Sequence, residues 1–252
     1  WYNNRKIELH GYTPIRFSVS EDDGATWSEP VTIVGDRSEK ILYCPPVFAV
    51  DGDTLYLFLN QMVAPDHIHA LDLYVYNEKE NRFELRWSRP IPFKLNTNVY
   101  KMSNGTWILP GRLAELDGFP QVPAVMIADS GHPDGPWRTV KLQQDKMLPD
   151  GSEFVHPEVS LLVQENRICA FCRNDQRNVP IVFLSEDYGE SWQGPFASDI
   201  PFSSAKIYSG TLQDGREYVI GNIGPNRQKL YILFRKAGSR YFDSGVLLQD
   251  GY

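Results

Sequence analysis

Two octets constrain this chain more than anything else in it. Ser20-Glu21-Asp22-Asp23-Gly24-Ala25-Thr26-Trp27 and Ser185-Glu186-Asp187-Tyr188-Gly189-Glu190-Ser191-Trp192 both fit S-x-D-x-G-x-[ST]-W. Aspartate and glycine at that spacing favour a tight turn, and the serine and threonine hydroxyls can satisfy nearby backbone groups. The second octet closes an apolar run at 181–184 and follows a hairpin pattern. There an apolar run begins beside Glu158, turns at Gln164-Glu165-Asn166 and returns to Arg173. Alternating side chains in such runs go to opposite faces of a sheet.

The hairpin repeats. Turns at Asp51-Gly52, Asn104-Gly105, Glu165-Asn166 and Asp214-Gly215 begin at 51, 104, 165 and 214, so they lie 53, 61 and 49 residues apart. A period near fifty residues, with about four short strands in each, predicts a β-propeller. Helical periodicity is nowhere sustained, and the 18 prolines and 19 glycines suit frequent turns. With no crossover helices, a parallel sheet is excluded. At 252 residues and 23% charged, the chain has the size and composition of one globular all-β domain spanning 1–252. It starts at Trp1 without a leader, and Trp1 to Asn4 reads as the end of an inner hairpin whose first strand is missing. The sequence after Ser244 reads as the outer strand of a fifth blade. The expectation is a propeller incomplete at both ends, with about five blades represented.

The net charge of −7 gives no footprint for nucleic acid, and no apolar run is long enough to span a bilayer. Cys169 and Cys172 have C-x-x-C spacing but fall in a predicted strand, where residues three apart face opposite ways, so they read as packing residues. Asp66, His67, His69 and Asp72 read as a histidine-rich loop, and no metal or cofactor is expected. Asn104-Gly105-Thr106 fits a glycosylation sequon but is already explained as a hairpin turn.

The octets resemble the Asp-box of the bacterial neuraminidase repeat, which marks the sialidase superfamily and its six-bladed propellers. The resemblance implies that Asp22 and Asp187 are structural and that each tryptophan packs beneath its turn. It implies a sialidase-like exo-glycoside hydrolase that cleaves a terminal sugar, an acidic one among the candidates, from a glycan. The other readings are a non-catalytic carbohydrate-binding propeller, or another glycosidase or polysaccharide lyase on the same scaffold. A secreted or periplasmic location would follow from the resemblance alone.

Register along the hairpins picks out site candidates. Six or seven residues before the turns stand Cys44, Asn98, Glu158 and Tyr208, and eight after them stand Leu59, Arg112, Arg173 and Asn222, with Asn60 next along. A carboxylate, two arginines and a phenol at strand ends form a polar rim, where side chains bury little apolar area. In the stretch HPEVSLL…RICAFCRND, Glu158 matches the family's catalytic glutamate and Arg173 a substrate-binding arginine. Glu158 would orient or activate a nucleophile, and Arg173 would clamp a substrate carboxylate. The pair should lie within salt-bridge reach. The N-terminal stretch resembles the family's acid/base loop, but it carries Glu8 where the family has aspartate. By the same resemblance Arg227 is a further substrate-binding arginine. Arg112, Tyr208, Asn98 and His156 complete the substrate-binding candidates, His156 serving equally as a cap for the strand entry.

Overall fold

The computed structural model describes residues 11–64, 67–176 and 179–251. Every regular element among them is a β-strand except one three-residue 3-10 turn, Pro225–Arg227. No helix among the described residues is long and apolar enough to cross a membrane. Contacts divide the chain into two units, one of 1–95 with 114–120, the other of 96–113 with 121–252.

In the first unit, β1 (Ile15–Phe17) pairs with β2 (Val31–Val34) in a two-stranded ribbon. There follows an antiparallel meander of β3 (Leu42–Asp51), β4 (Thr54–Ala64), β5 (His67–Asn77) and β6 (Arg82–Arg89). Next comes the short β7 (Phe93–Leu95). Asn60, next to a register position, is fully buried and structural: its amide donates to Phe93 O at 2.7 Å, and its oxygen accepts from Leu95 N at 2.7 Å. His69 pairs with Asp117 at 3.0 Å, and Asp72 accepts from Gln61 at 2.9 Å. Asp66 lies outside the described residues.

The second unit holds three meanders in chain order. They are β8 (Tyr100–Lys101) to β9 (Trp107–Leu113), β10 (Val122–Ala128) and β11 (Trp137–Lys141); β12 (Val159–Gln164), β13 (Arg167–Cys172), β14 (Ile181–Ser185) and β15 (Gln193–Ala197); and β16 (Tyr208–Thr211), β17 (Glu217–Ile223), β18 (Lys229–Arg235) and β19 (Ser244–Asp250). All four expected hairpins are present. Each turn holds a residue at positive φ: Gly52, Gly105, Gly215 and, in the third, Glu165.

Strand alternation explains how the sheets stack. In β12 and β13, Val159, Leu161, Ile168, Ala170 and Cys172 face a core shared with Ile108, Val125 and Ile127 of the preceding sheet. Their alternates Leu162, Cys169 and Phe171 face Val219 of the following sheet and Ile207 just before it. The two cysteines therefore lie on opposite faces of β13, as strand geometry requires, and both are free thiols.

The octets fold as near-copies. In the second, Ser185 Oγ donates to Asp187 at 2.8 Å and accepts from Gly189 N at 2.9 Å, while Asp187 accepts from Ser191 N at 2.9 Å and Ser191 Oγ at 2.5 Å. The first repeats every bond among Ser20, Asp22, Gly24 and Thr26 at 2.6–2.8 Å. In both, the tryptophan indole donates to the glycine carbonyl, at 3.1 and 3.0 Å. The Thr26 hydroxyl and amide, with the Ser20 hydroxyl, hold the Asp22 carboxyl at about 2. Both aspartates are thus spent on turn architecture. The tryptophans differ. Trp192 packs against the shared core, whereas Trp27 is 65% exposed, since among the described residues the ribbon carrying it has two strands. Since the second octet joins the third and fourth strands of its sheet, β1 and β2 correspond to such an outer pair. A degenerate relative, Ser130 to Trp137, joins β10 to β11, and its indole bonds Pro133 O at 2.9 Å. Sequence matching misses it because His132, Asp134 and Pro136 stand where the octet has aspartate, glycine and serine or threonine.

A Cβ on Gly189, at φ +87°, would meet Ile108 at 2.9 Å, whereas one on Gly52 meets nothing within 4 Å. In urea unfolding, Gly189→Ala should lose about 2–4 kcal/mol, from strain plus overpacking. Gly52→Ala should lose only about 1–2 kcal/mol, from strain.

Candidate active site

The β12–β13 hairpin fixes the site's two principal groups. Val159 pairs with Cys172, so Glu158 and Arg173 flank the hairpin's open end, where Arg173 N donates to Glu158 O at 2.9 Å. The hairpin's entry is pinned from a preceding loop, where Asn96 Oδ1 accepts from Val159 N at 2.9 Å. Their side chains meet as register predicts: Arg173 Nη1 donates to Glu158 Oε2 at 2.9 Å.

A second carboxylate shares the arginine. Asp175 takes the side-on pair, Nε at 2.6 Å and Nη2 at 3.0 Å. It also accepts from Ser204 Oγ and pairs with His156 Nδ1 at 2.9 Å. Ser204 O in turn accepts from Arg227 Nε at 3.2 Å, and Asn222 Nδ2 bonds Arg227 O at 3.0 Å, holding the turn that presents Arg227. Five candidates from the sequence are therefore linked: Glu158 to Arg173 directly, His156 and Arg227 through Asp175 and Ser204, and Arg112 by its charge. Asn98 and Tyr208 form a separate pair in which the Asn98 amide donates to the Tyr208 phenol. Tyr208 is 38% exposed and stacks on Tyr218, with ring centroids 6.4 Å apart. Glu8 lies outside the described residues.

Burial pushes the Glu158 carboxyl up, but the charges of Arg112 and Lys206 and the hydrogen bond and charge of Arg173 outweigh it and hold it below 4.5. Asp175 behaves likewise: burial raises it, and Ser204, Arg173 and His156 bring it below 3.8. Burial opposes the charge on Arg173, and its two carboxylates reverse that. Cys172, fully buried and acted on by the opposed charges of Arg112 and Glu158, has its thiol pushed well above 9.0 by burial, so it stays protonated.

Two features depart from the sequence reading. The pair is not a rim: the side chains of Arg173 and Glu158 are only 15% and 16% exposed, and Arg112 is buried at 2%. The hairpin's end is covered by loops carrying Asn96 and Ser204, which strand register cannot reveal. Asp175 and Lys206 were also missed. A signal existed for Asp175, which stands two residues beyond Arg173 and so on the same side of an extended chain. Lys206 lies outside the matched register, and nothing local marks it.

The sequence profile of the BNR repeat-like domain family matches residues 2–252. The chain belongs to this family. No curated protein matches its sequence. Among solved structures it is similar to a Hadza microbial sialidase, with TM-score 0.71 and 13% identity over 93% of this chain and 52% of that one. It is also similar to a protein of unknown function from Dyadobacter fermentans, with TM-score 0.68 and 13% identity over 91% and 70%. A third is Trypanosoma rangeli sialidase in complex with sialic acid, with TM-score 0.58 and 14% identity over 86% and 40%. The chain spans about half the length of the first of these sialidases. At such identities the likeness shows the fold: this is the sialidase-type β-propeller, and its four-stranded meanders are the blades.

Replacing Arg173 by methionine leaves two mostly buried carboxylates without their shared counter-charge, and should destabilise the protein by about 3–5 kcal/mol near pH 7. Both carboxyls lie below their ordinary values in the native state, so the stability they contribute is full above about pH 4.5 and fades as pH falls further. The gap between wild type and Arg173→Met, followed by urea unfolding, should therefore narrow from pH 7 to pH 3.

Proposed function

We propose that the protein is a sialidase-like exo-glycoside hydrolase acting on a terminal acidic sugar. The observation that carries this reading is a carboxylate, Glu158, kept ionised against its burial inside a cluster of basic side chains. Among the described residues, Arg112, Arg173, Lys206 and Arg227 are gathered around Glu158 and Asp175, in a chain whose net charge is −7. Such a local excess suits an anionic ligand, drawn in against the global sign.

The roles follow from the chemistry of each group. An ionised carboxylate cannot supply the proton that a leaving glycosidic oxygen requires, so Glu158 serves as the base or electrostatic partner of the nucleophile. The acid must come from elsewhere, and Glu8 is the residue proposed for it. Arg173 uses three of its five N–H groups on Glu158 and Asp175, which leaves two for a substrate carboxylate. Asp175 and His156 fix the guanidinium in place. Arg227 and Lys206 add charge for the same ligand, and Tyr208 with Asn98 offers a ring face and an amide to the rest of the sugar.

An aryl α-sialoside and a panel of other aryl glycosides test this. Glu158→Gln should lower kcat roughly a hundredfold or more with KM little changed, because the lost interaction acts in the transition state. Arg173→Lys keeps the charge but loses the fork, and should raise KM about tenfold on the acidic substrate. Binding without turnover of every glycoside would instead identify a carbohydrate-binding propeller.

A further inference from the structure

A concavity lies away from Glu158 and shares no residue with that cluster. It is a cleft of about 970 Å³ between the β12–β15 sheet and the segment joining β18 to β19. Exposed apolar side chains converge on it: Leu184 at 39%, Phe196 at 46% and Tyr241 at 58%. Apolar side chains exposed along one cleft give a ligand's apolar face something to lie against. Its floor is polar. Arg235 Nε donates to Glu217 Oε2 at 2.6 Å, with side chains only 11% and 5% exposed. The Phe242 ring lies 4.8 Å from the Arg235 guanidinium and 6.2 Å from the Phe171 ring, which holds the charged group at the cleft's base. Cys169 completes the wall near Arg235 as a neutral group, its thiol pushed up to about 11 by burial.

This combination selects a ligand class. A carboxylate reaching the floor would meet Glu217 as well as Arg235, so the pair offers an anion no net attraction. A wholly apolar ligand would bury the ion pair and give its remaining donors and acceptor nothing in exchange for water. A polyhydroxylated ring answers both demands. Its hydroxyls accept from the guanidinium and donate to the carboxylate, while its C–H face lies against Phe196 or Tyr241. The volume is within the range of small-molecule sites. We propose that this cleft is a non-catalytic binding site for a neutral sugar ring, separate from the Glu158 cluster.

The test is NMR titration of the protein with cellobiose, lactose and maltose, and separately with benzoate. At least one disaccharide should bind in the millimolar range, with amide shifts concentrated at residues 195–200 and 238–242. Phe196→Ala and Tyr241→Ala are exposed substitutions that should leave the fold intact, and each should weaken that binding about fivefold, the equivalent of one lost stacking contact. Four results would overturn the proposal: no binding by any of the three sugars, binding that both variants leave unchanged, shifts centred on Glu158 and Arg173, or tighter binding of benzoate than of any sugar.

Discussion

The charged cluster of this protein's candidate site is organised around one guanidinium. Arg173 stands at the open end of the β12–β13 hairpin and holds Glu158 through one arm and Asp175 through two. In water each such contact would contribute little, but here the side chains are about five-sixths buried and the balance changes. Burial alone would raise both carboxyls, and it opposes the charge on the arginine as well. The three charges therefore support one another, and Arg112 and Lys206 add to the field that keeps Glu158 ionised. Asp175 extends the arrangement to His156 and Ser204, so the position of Arg173 is set from several directions at once.

The hairpin can carry such a cluster because its own geometry is fixed elsewhere. Its alternate faces are buried against two neighbouring sheets, which locks the register: a one-residue slip would turn Val159, Leu161 and Cys172 out of one core and Leu162 and Phe171 out of the other. At the far side of the same sheet, the octet clamps the β14–β15 connection through Asp187 and seats Trp192 in the core. Turn chemistry thus occupies one end of the strands, charge is concentrated at the other, and core packing runs between them.

Much of this was legible in the residues. The hairpin turns follow from glycine and asparagine at blade spacing, and the pairing of Glu158 with Arg173 follows from counting outward from Glu165. The facing of Cys169 and Cys172 follows from a period of two. What stayed hidden was tertiary. Strand register says which side chains share an end, not what covers it, so the depth of the pair could not be read. Lys206 acts on Glu158 from the segment leading into the next sheet, and the cleft above Arg235 and Glu217 draws its walls from four separated segments. The exposure of Trp27 likewise depends on how many strands surround its turn, which the octet alone does not encode.

The central claim is that surrounding positive charge wins over burial and keeps Glu158 ionised. Carbon-13 NMR titration of the side-chain carboxyls, with Glu158 assigned by comparison with Glu158→Gln, measures this without reference to any substrate. The account predicts that Glu158 titrates below 4.5, and that replacing Arg112 by glutamine moves it upward. A wild-type Glu158 titrating above that value would show that burial dominates, and would contradict the account.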